Sequence, residues 1–100
     1  MKILQVVPRR DNRKTLKRLL IDKERALRGS TTTFRRKGAG RWLHKRYTGW
    51  ITWDESSGGI LLAEIHSRQP DTEWRLLQAF VGYLDRHLAQ QIDTITVFYR

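Results

Sequence analysis

Residues 60–99 read ILLAEIHSRQPDTEWRLLQAFVGYLDRHLAQQIDTITVFY, and this stretch decides the fold class. Its middle predicts a long amphipathic helix with Asp71 as N-cap, because apolar residues recur every three or four positions through about residue 90. These residues are Trp74, Leu77, Phe80, Val81, Leu84 and Leu88. The flanking segments 60–66 and 92–99 predict β-strands. Such a strand–helix–strand unit allows a right-handed crossover, which would make the two strands parallel.

The segment before it, 41–53 (RWLHKRYTGWITW), predicts a long strand with a bulge at Gly49. Strict alternation places Trp42 and Trp50 on one face and Ile51 and Trp53 on the other. Residues 54–59 (DESSGG) are typical of a loop. Residues 30–36 predict a further strand, which a turn at 37–40 (KGAG) joins to the long one.

The first part of the chain predicts a short strand at 2–7 and a basic helix at 12–28, with Asp11 or Asn12 as N-cap and Gly29 as C-cap. The element order is then (β)αβββαβ. This order predicts an α+β fold, with a three-stranded antiparallel meander in a mixed open sheet and a helix packed on one face. We expect a single domain over residues 1–100, with a core at 39–100. We expect 1–38 to be a basic, loosely attached or partly disordered segment.

The charge of the chain is divided unequally between its halves. The chain has a net charge of +10, and residues 1–50 hold 16 of its 20 lysines and arginines against three acidic residues. A strongly basic half favours a polyanionic partner such as RNA or DNA, because lysine and arginine neutralise phosphates. The residues predicted to bind nucleic acid are Arg13, Lys14, Lys17, Arg18, Arg35, Arg36, Lys37, Arg41, Trp42, Lys45, Arg46 and Trp50.

Trp42 and Trp50 lie among the second group of cations, where exposed aromatic rings would stack on unpaired bases. The first hypothesis is therefore a small non-enzymatic module that binds nucleic acid or another polyanion and needs no cofactor. Another hypothesis is an interaction module or small homodimer whose basic segment meets an acidic protein. The absence of cysteine excludes disulfides and cysteine zinc sites, and no apolar run predicts a membrane span, so we expect a cytoplasmic protein.

A third hypothesis rests on Asp54, Glu64 and His66. Their spacing and the element order resemble the PD-(D/E)xK nuclease core, in which acids on two adjacent strands bind a divalent metal. That resemblance implies Mg²⁺ held by Asp54 and Glu64, with Glu24 as a further contributor. The chain departs from the pattern at His66, which replaces a lysine, and at Trp53, which replaces the proline. A simpler interpretation is that Glu64 and His66 pair with each other or with Arg68.

The order α-β-β-β-α also resembles the double-stranded-RNA-binding domain. In that domain a basic cluster at the start of the second helix grips phosphates. Here the corresponding segment, 71–75 (DTEWR), is acidic, and the last strand has no counterpart. The resemblance is therefore one of architecture.

Overall fold

A computed structural model describes residues 1–28, 33–38 and 40–100, which form six strands and two α-helices. The strands are β1 (Lys2–Pro8), β2 (Phe34–Lys37), β3 (Arg41–His44), β4 (Trp50–Glu55), β5 (Leu61–His66) and β6 (Ile92–Tyr99). The helices are α1 (Leu16–Leu27) and α2 (Pro70–Leu88). The α+β fold predicted from the sequence is confirmed.

The strands form one open sheet in the order β2-β3-β4-β5-β1-β6, and the pairings among them are all antiparallel. β5 and β6 do run in the same direction, as the predicted crossover requires. They are not neighbours, however, because β1 lies between them and opposes both. The sheet is thus antiparallel throughout rather than mixed, and the meander has four strands because the predicted strand at 41–53 divides into β3 and β4.

β1 lies in the interior of the sheet, although it belongs to the basic first half of the chain. Leu4 and Val6 are fully buried, and Leu4 lies opposite Ala63 on one side and Val97 on the other. The looseness predicted for residues 1–38 stays a prediction, but their first strand occupies this interior position.

Both helices cover the same face of the sheet. Directly opposed residues of antiparallel strands share a face, so Trp42, Ile51 and Ile65 lie side by side. They belong to one buried cluster with Leu16 and Leu20 of α1 and with apolar residues of α2: Leu76, Leu77, Phe80, Tyr83, Leu84 and Leu88. The opposite face carries no helix among the described residues, and we call it the open face.

The capping of both helices differs from the prediction. α1 begins later than expected, because the Thr15 hydroxyl accepts a hydrogen bond from the Arg18 amide at 3.2 Å and caps the helix there. α2 has Gln69 as its N-cap and Pro70 at its first position, so Asp71 lies inside the first turn. Two parts of the prediction lie outside the described residues: the C-cap Gly29, and residues 30–32 of the strand predicted at 30–36.

α1 is fixed to the edge of the sheet by a buried carboxylate. Glu24 is 2% exposed and accepts a hydrogen bond of 2.7 Å from Nη2 of Arg28. It also accepts one of 3.4 Å from the backbone amide of Arg36 on β2. A buried charge is tolerated when it is paired and hydrogen-bonded in this way.

Candidate nucleic-acid interface

The five residues between β3 and β4 reset the alternation of side chains. Gly49 has a φ of +105°, and a Cβ built on it would lie 2.3 Å from the backbone oxygen of His66. Only glycine fits such a conformation and approach. Because the chain turns irregularly here, Trp42 and Trp50 lie on opposite faces of the sheet, whereas strict alternation through one strand places them together.

Trp42 is a core residue. Its side chain is 1% exposed and meets the ring of Trp53 edge-on, with 5.2 Å between the ring centroids. Its indole nitrogen is buried, with no hydrogen-bond partner among the described residues. The prediction that Trp42 stacks on nucleic acid is therefore wrong, because the ring already fills the interior.

Trp50 stands on the open face inside a stack of three planar groups. The Arg41 guanidinium carbon lies 4.7 Å from the Trp50 ring centroid. On the neighbouring strand, the His66 ring lies nearly parallel to the indole, at 12° and 5.2 Å between centroids. β4 lies between β3 and β5, so the indole stands between the guanidinium and the imidazole. Cation–π and ring-stacking attractions both hold this arrangement.

Two polar side chains fix the histidine at the end of the stack. The Nε2 atom of His66 lies 2.9 Å from the Thr52 hydroxyl oxygen and 3.4 Å from a carboxylate oxygen of Glu64. Glu64 and His66 therefore lie within pairing distance of each other, as the simpler interpretation of the sequence expects.

Two further cations accompany the stack on the open face. Lys37 lies opposite Arg41, and Arg35 lies opposite Leu43, so both side chains share a face with Arg41. Both are exposed. Arg36 lies between them in sequence and belongs to the helix-covered face, where its amide meets Glu24.

The cations in α1 and just before it are on the other side of the sheet. Lys14 and Arg18 both reach Asp22 at 3.2 Å, which neutralises part of their charge. Arg13 and Lys17 are exposed and have no ion pair among the described residues. The predicted binding residues therefore do not form one surface. Arg35, Lys37 and Arg41 lie on the open face, whereas the cations in and just before α1 lie on the other side of the sheet, as does Arg36.

A cleft of about 850 Å³ at the start of α1 adds two cations that the prediction omitted. Arg9 and Arg10 line it together with Arg13 and Lys14, and its one carboxylate among the described residues is Asp93. The sequence pattern that could have predicted them is the pair of adjacent arginines directly after Pro8.

Lys45 and Arg46 are exposed in the segment between β3 and β4. Here His44 accepts hydrogen bonds at Nδ1 from the backbone amides of Arg46, at 2.9 Å, and Tyr47, at 3.4 Å. Burial lowers the pKa of His44 below its ordinary 6.5, and the Arg46 charge lowers it further. Because Nδ1 accepts, the neutral ring carries its proton on Nε2.

The acidic residues of the nuclease hypothesis are divided between the two faces of the sheet. The Asp54 carboxylate accepts a hydrogen bond from the Glu55 amide. Asp54 lies opposite Leu62 and Glu64 lies opposite Thr52, so the two acids are diagonal neighbours on the open face. Glu24 is buried under α1, on the helix-covered side of the sheet. Among the described residues, no three histidine or acidic side chains converge in a way that would hold a metal ion.

Neither of the two described helices has the length and apolar character that a membrane crossing requires.

No known family model, curated protein or solved structure matches this chain. The geometry of its own residues therefore carries the functional argument.

Proposed function

We propose that this protein binds single-stranded nucleic acid across the open face of its sheet. The observation that carries the proposal is the stack of Arg41, Trp50 and His66, with 4.7 Å and 5.2 Å between neighbouring groups. Aromatic rings on a sheet surface stack on unpaired bases, and arginine both stacks and meets phosphates. Each of these contacts is independent of base identity to a large extent, so we expect weak sequence preference.

The arrangement of charge supports the same surface. Arg35 and Lys37 flank the stack and are exposed, and each gives a backbone phosphate a cation to meet. Both helices pack on the other face, and no described residue outside the strands packs across this one as a helix, so a strand of nucleic acid could reach it. Arg41 already lies over the indole, and an incoming base would take its place or extend the stack beyond it.

Fluorescence anisotropy with labelled single-stranded RNA and DNA tests the proposal. We expect affinity to fall steeply as salt rises, because phosphate contacts release counterions. Trp50→Ala should weaken binding by about 1–3 kcal/mol, the range of one base–aromatic stack. Trp74→Ala is the matched control, because Trp74 is 41% exposed and lies on α2. Equal losses in the two variants, or binding that is indifferent to salt, would refute the proposed surface.

A second candidate is a homodimer formed through β6. This edge strand has eight residues and one charged side chain, Asp93. The opposite edge, β2, is short and carries Arg35, Arg36 and Lys37. Proteins keep sheet edges from pairing by such charges, so the unprotected edge is the one that favours a second copy.

Sedimentation equilibrium tests this candidate. Thr96→Lys places a charge on β6 and should convert a dimer to a folded monomer. Gln78→Lys adds the same charge on α2 and should leave the dimer intact. A wild-type monomer at high concentration would exclude the homodimer.

Magnesium-dependent cleavage of nucleic acid and a cytoplasmic location stay predictions from the sequence, since no observation favours either further.

A further inference from the structure

A second cleft lies between α2 and the segment that joins β3 to β4. Its volume is about 820 Å³, within the ~300–1,000 Å³ typical of small-molecule sites. It is distinct from the open face, because its helical wall belongs to the covered side of the sheet. Residues of this wall recur along one side of α2: Arg75, Gln78, Ala79, Gly82, Tyr83 and Arg86.

The charge lining this cleft has one sign. Lys45 and Arg46 lie on one side, and Arg75 and Arg86 lie on the other. None of the described lining residues is acidic. Arg75 has a nearby partner in Asp71 at 3.1 Å, but both side chains are more than half exposed, so the pair neutralises little. Four cations facing a common space favour a ligand with several negative charges.

A flat aromatic surface forms part of the wall. The rings of His44 and Tyr47 are stacked, with centroids 4.6 Å apart and planes 24° from parallel. The two backbone amides that donate to Nδ1 of His44 hold its ring in place. Tyr83 lines the cleft as well, and its buried hydroxyl has no hydrogen-bond partner among the described residues.

Gly82 leaves the floor of the cleft bare. A Cβ built on it would meet no atom within 4 Å, so close packing does not account for the glycine. A glycine inside a helix costs about 1 kcal/mol relative to alanine. Space for a ligand beside the helix is a physical reason for tolerating that cost.

We propose that this cleft binds a nucleoside phosphate, with its phosphates between the two pairs of cations and its base against the ring of Tyr47, which stacks on His44. This is a site beyond the strand-binding surface proposed above, and it does not depend on that surface. The nucleotide is either free or the phosphorylated end of a strand, since both present the same groups.

Isothermal titration with ATP, pyrophosphate and adenosine tests the ligand chemistry. We expect ATP to bind more tightly than pyrophosphate, and adenosine alone to bind least. Arg46→Gln and Arg86→Gln should each weaken ATP binding about tenfold, as the loss of a charge-assisted contact of about 1.4 kcal/mol does. Arg35→Gln, on the open face, should leave ATP binding unchanged.

Gly82→Phe should abolish ATP binding by filling the cleft, whereas Gly82→Ala should keep it, and circular dichroism verifies that both variants fold. Oligonucleotides with and without a terminal phosphate distinguish a strand end from a free nucleotide as the ligand. If the protein prefers the phosphorylated oligonucleotide and Gly82→Phe removes that preference, the cleft binds strand ends. If the two oligonucleotides bind equally, the cleft binds free nucleotides. No ATP binding by the wild type, ATP binding that survives Gly82→Phe, or an equal loss in Arg35→Gln would overturn the proposal. A failure of Trp50→Ala to affect strand binding would overturn only the open-face proposal.

Discussion

Replacing Gly49 by alanine tests the close approach of its backbone to the backbone oxygen of His66. At its φ of +105° a side chain is strained, by roughly 1–2 kcal/mol for a left-handed conformation. The added Cβ would also lie 2.3 Å from the backbone oxygen of His66. To relieve that contact, β4 must move away from β5 next to the pair of Trp50 and His66, which costs about another 1–2 kcal/mol for weakened backbone hydrogen bonds.

The total loss is therefore about 2–4 kcal/mol out of the ~5–15 kcal/mol typical of folded domains. For a chain of this length it corresponds to a fall of roughly 8–30 °C in the melting temperature. Thermal and urea denaturation, followed by circular dichroism, measure both quantities. The same variant should weaken binding to single strands, because it displaces the indole from His66.

Two other glycines serve as matched controls. Gly58 has a φ of +78° but open space around its Cβ position, so Gly58→Ala should cost only the conformational strain. Gly82→Ala should stabilise the protein by about 1 kcal/mol, because Gly82 lies inside a helix with room for a methyl group. If Gly49→Ala is no less stable than Gly58→Ala, the close approach to His66 is not a feature of the folded protein.

Three further predictions concern stability. Arg28→Met should destabilise the protein more than Arg25→Met in urea titrations, because Arg28 pairs with the buried Glu24 and Arg25 does not among the described residues. Equal effects would refute the pair. The free energy of unfolding should fall as the pH drops below about 6.5, because the pKa of His44 is lower in the folded chain, so the unfolded chain binds more protons there. His44→Gln should make this pH dependence shallower, and an unchanged slope would contradict the assignment to His44. Leu4→Ala should cost ~2–5 kcal/mol in the single main unfolding transition, and a main transition that does not move would mean that the core forms without β1.

The sequence predicts elements well where one pattern extends over many residues. The stripe of α2 correctly places Leu77, Phe80, Leu84 and Leu88 in the core. It is wrong for Trp74, which is 41% exposed in the first turns of the helix. Tyr83 and Leu76 were missed, because the buried side of the helix is wider than one stripe.

The candidate site was harder to predict than the fold. Trp42 and Trp50 are eight residues apart, and only the irregular segment before Gly49 decides that they lie on opposite faces. The pairing of Arg41 and His66 with Trp50 depends on strand order, which no local pattern contains. The cleft between α2 and the β3–β4 segment brings together residues roughly 30 to 40 positions apart in sequence, and the charge pattern of the sequence does not predict that contact.

The interior place of β1 has a consequence for how the molecule folds. Its neighbours, β5 and β6, begin about 60 and 90 residues further along the chain. Contacts of such long sequence separation form slowly, because the loops that they close must first lose their entropy. During synthesis the first strand therefore has no partner until β5 has been made, about two thirds of the way along the chain. The basic residues directly after β1, among them Arg9, Arg10 and Arg13, would pass through that interval attached to an unpaired strand, so polyanions in the folding environment could reach them before the sheet forms.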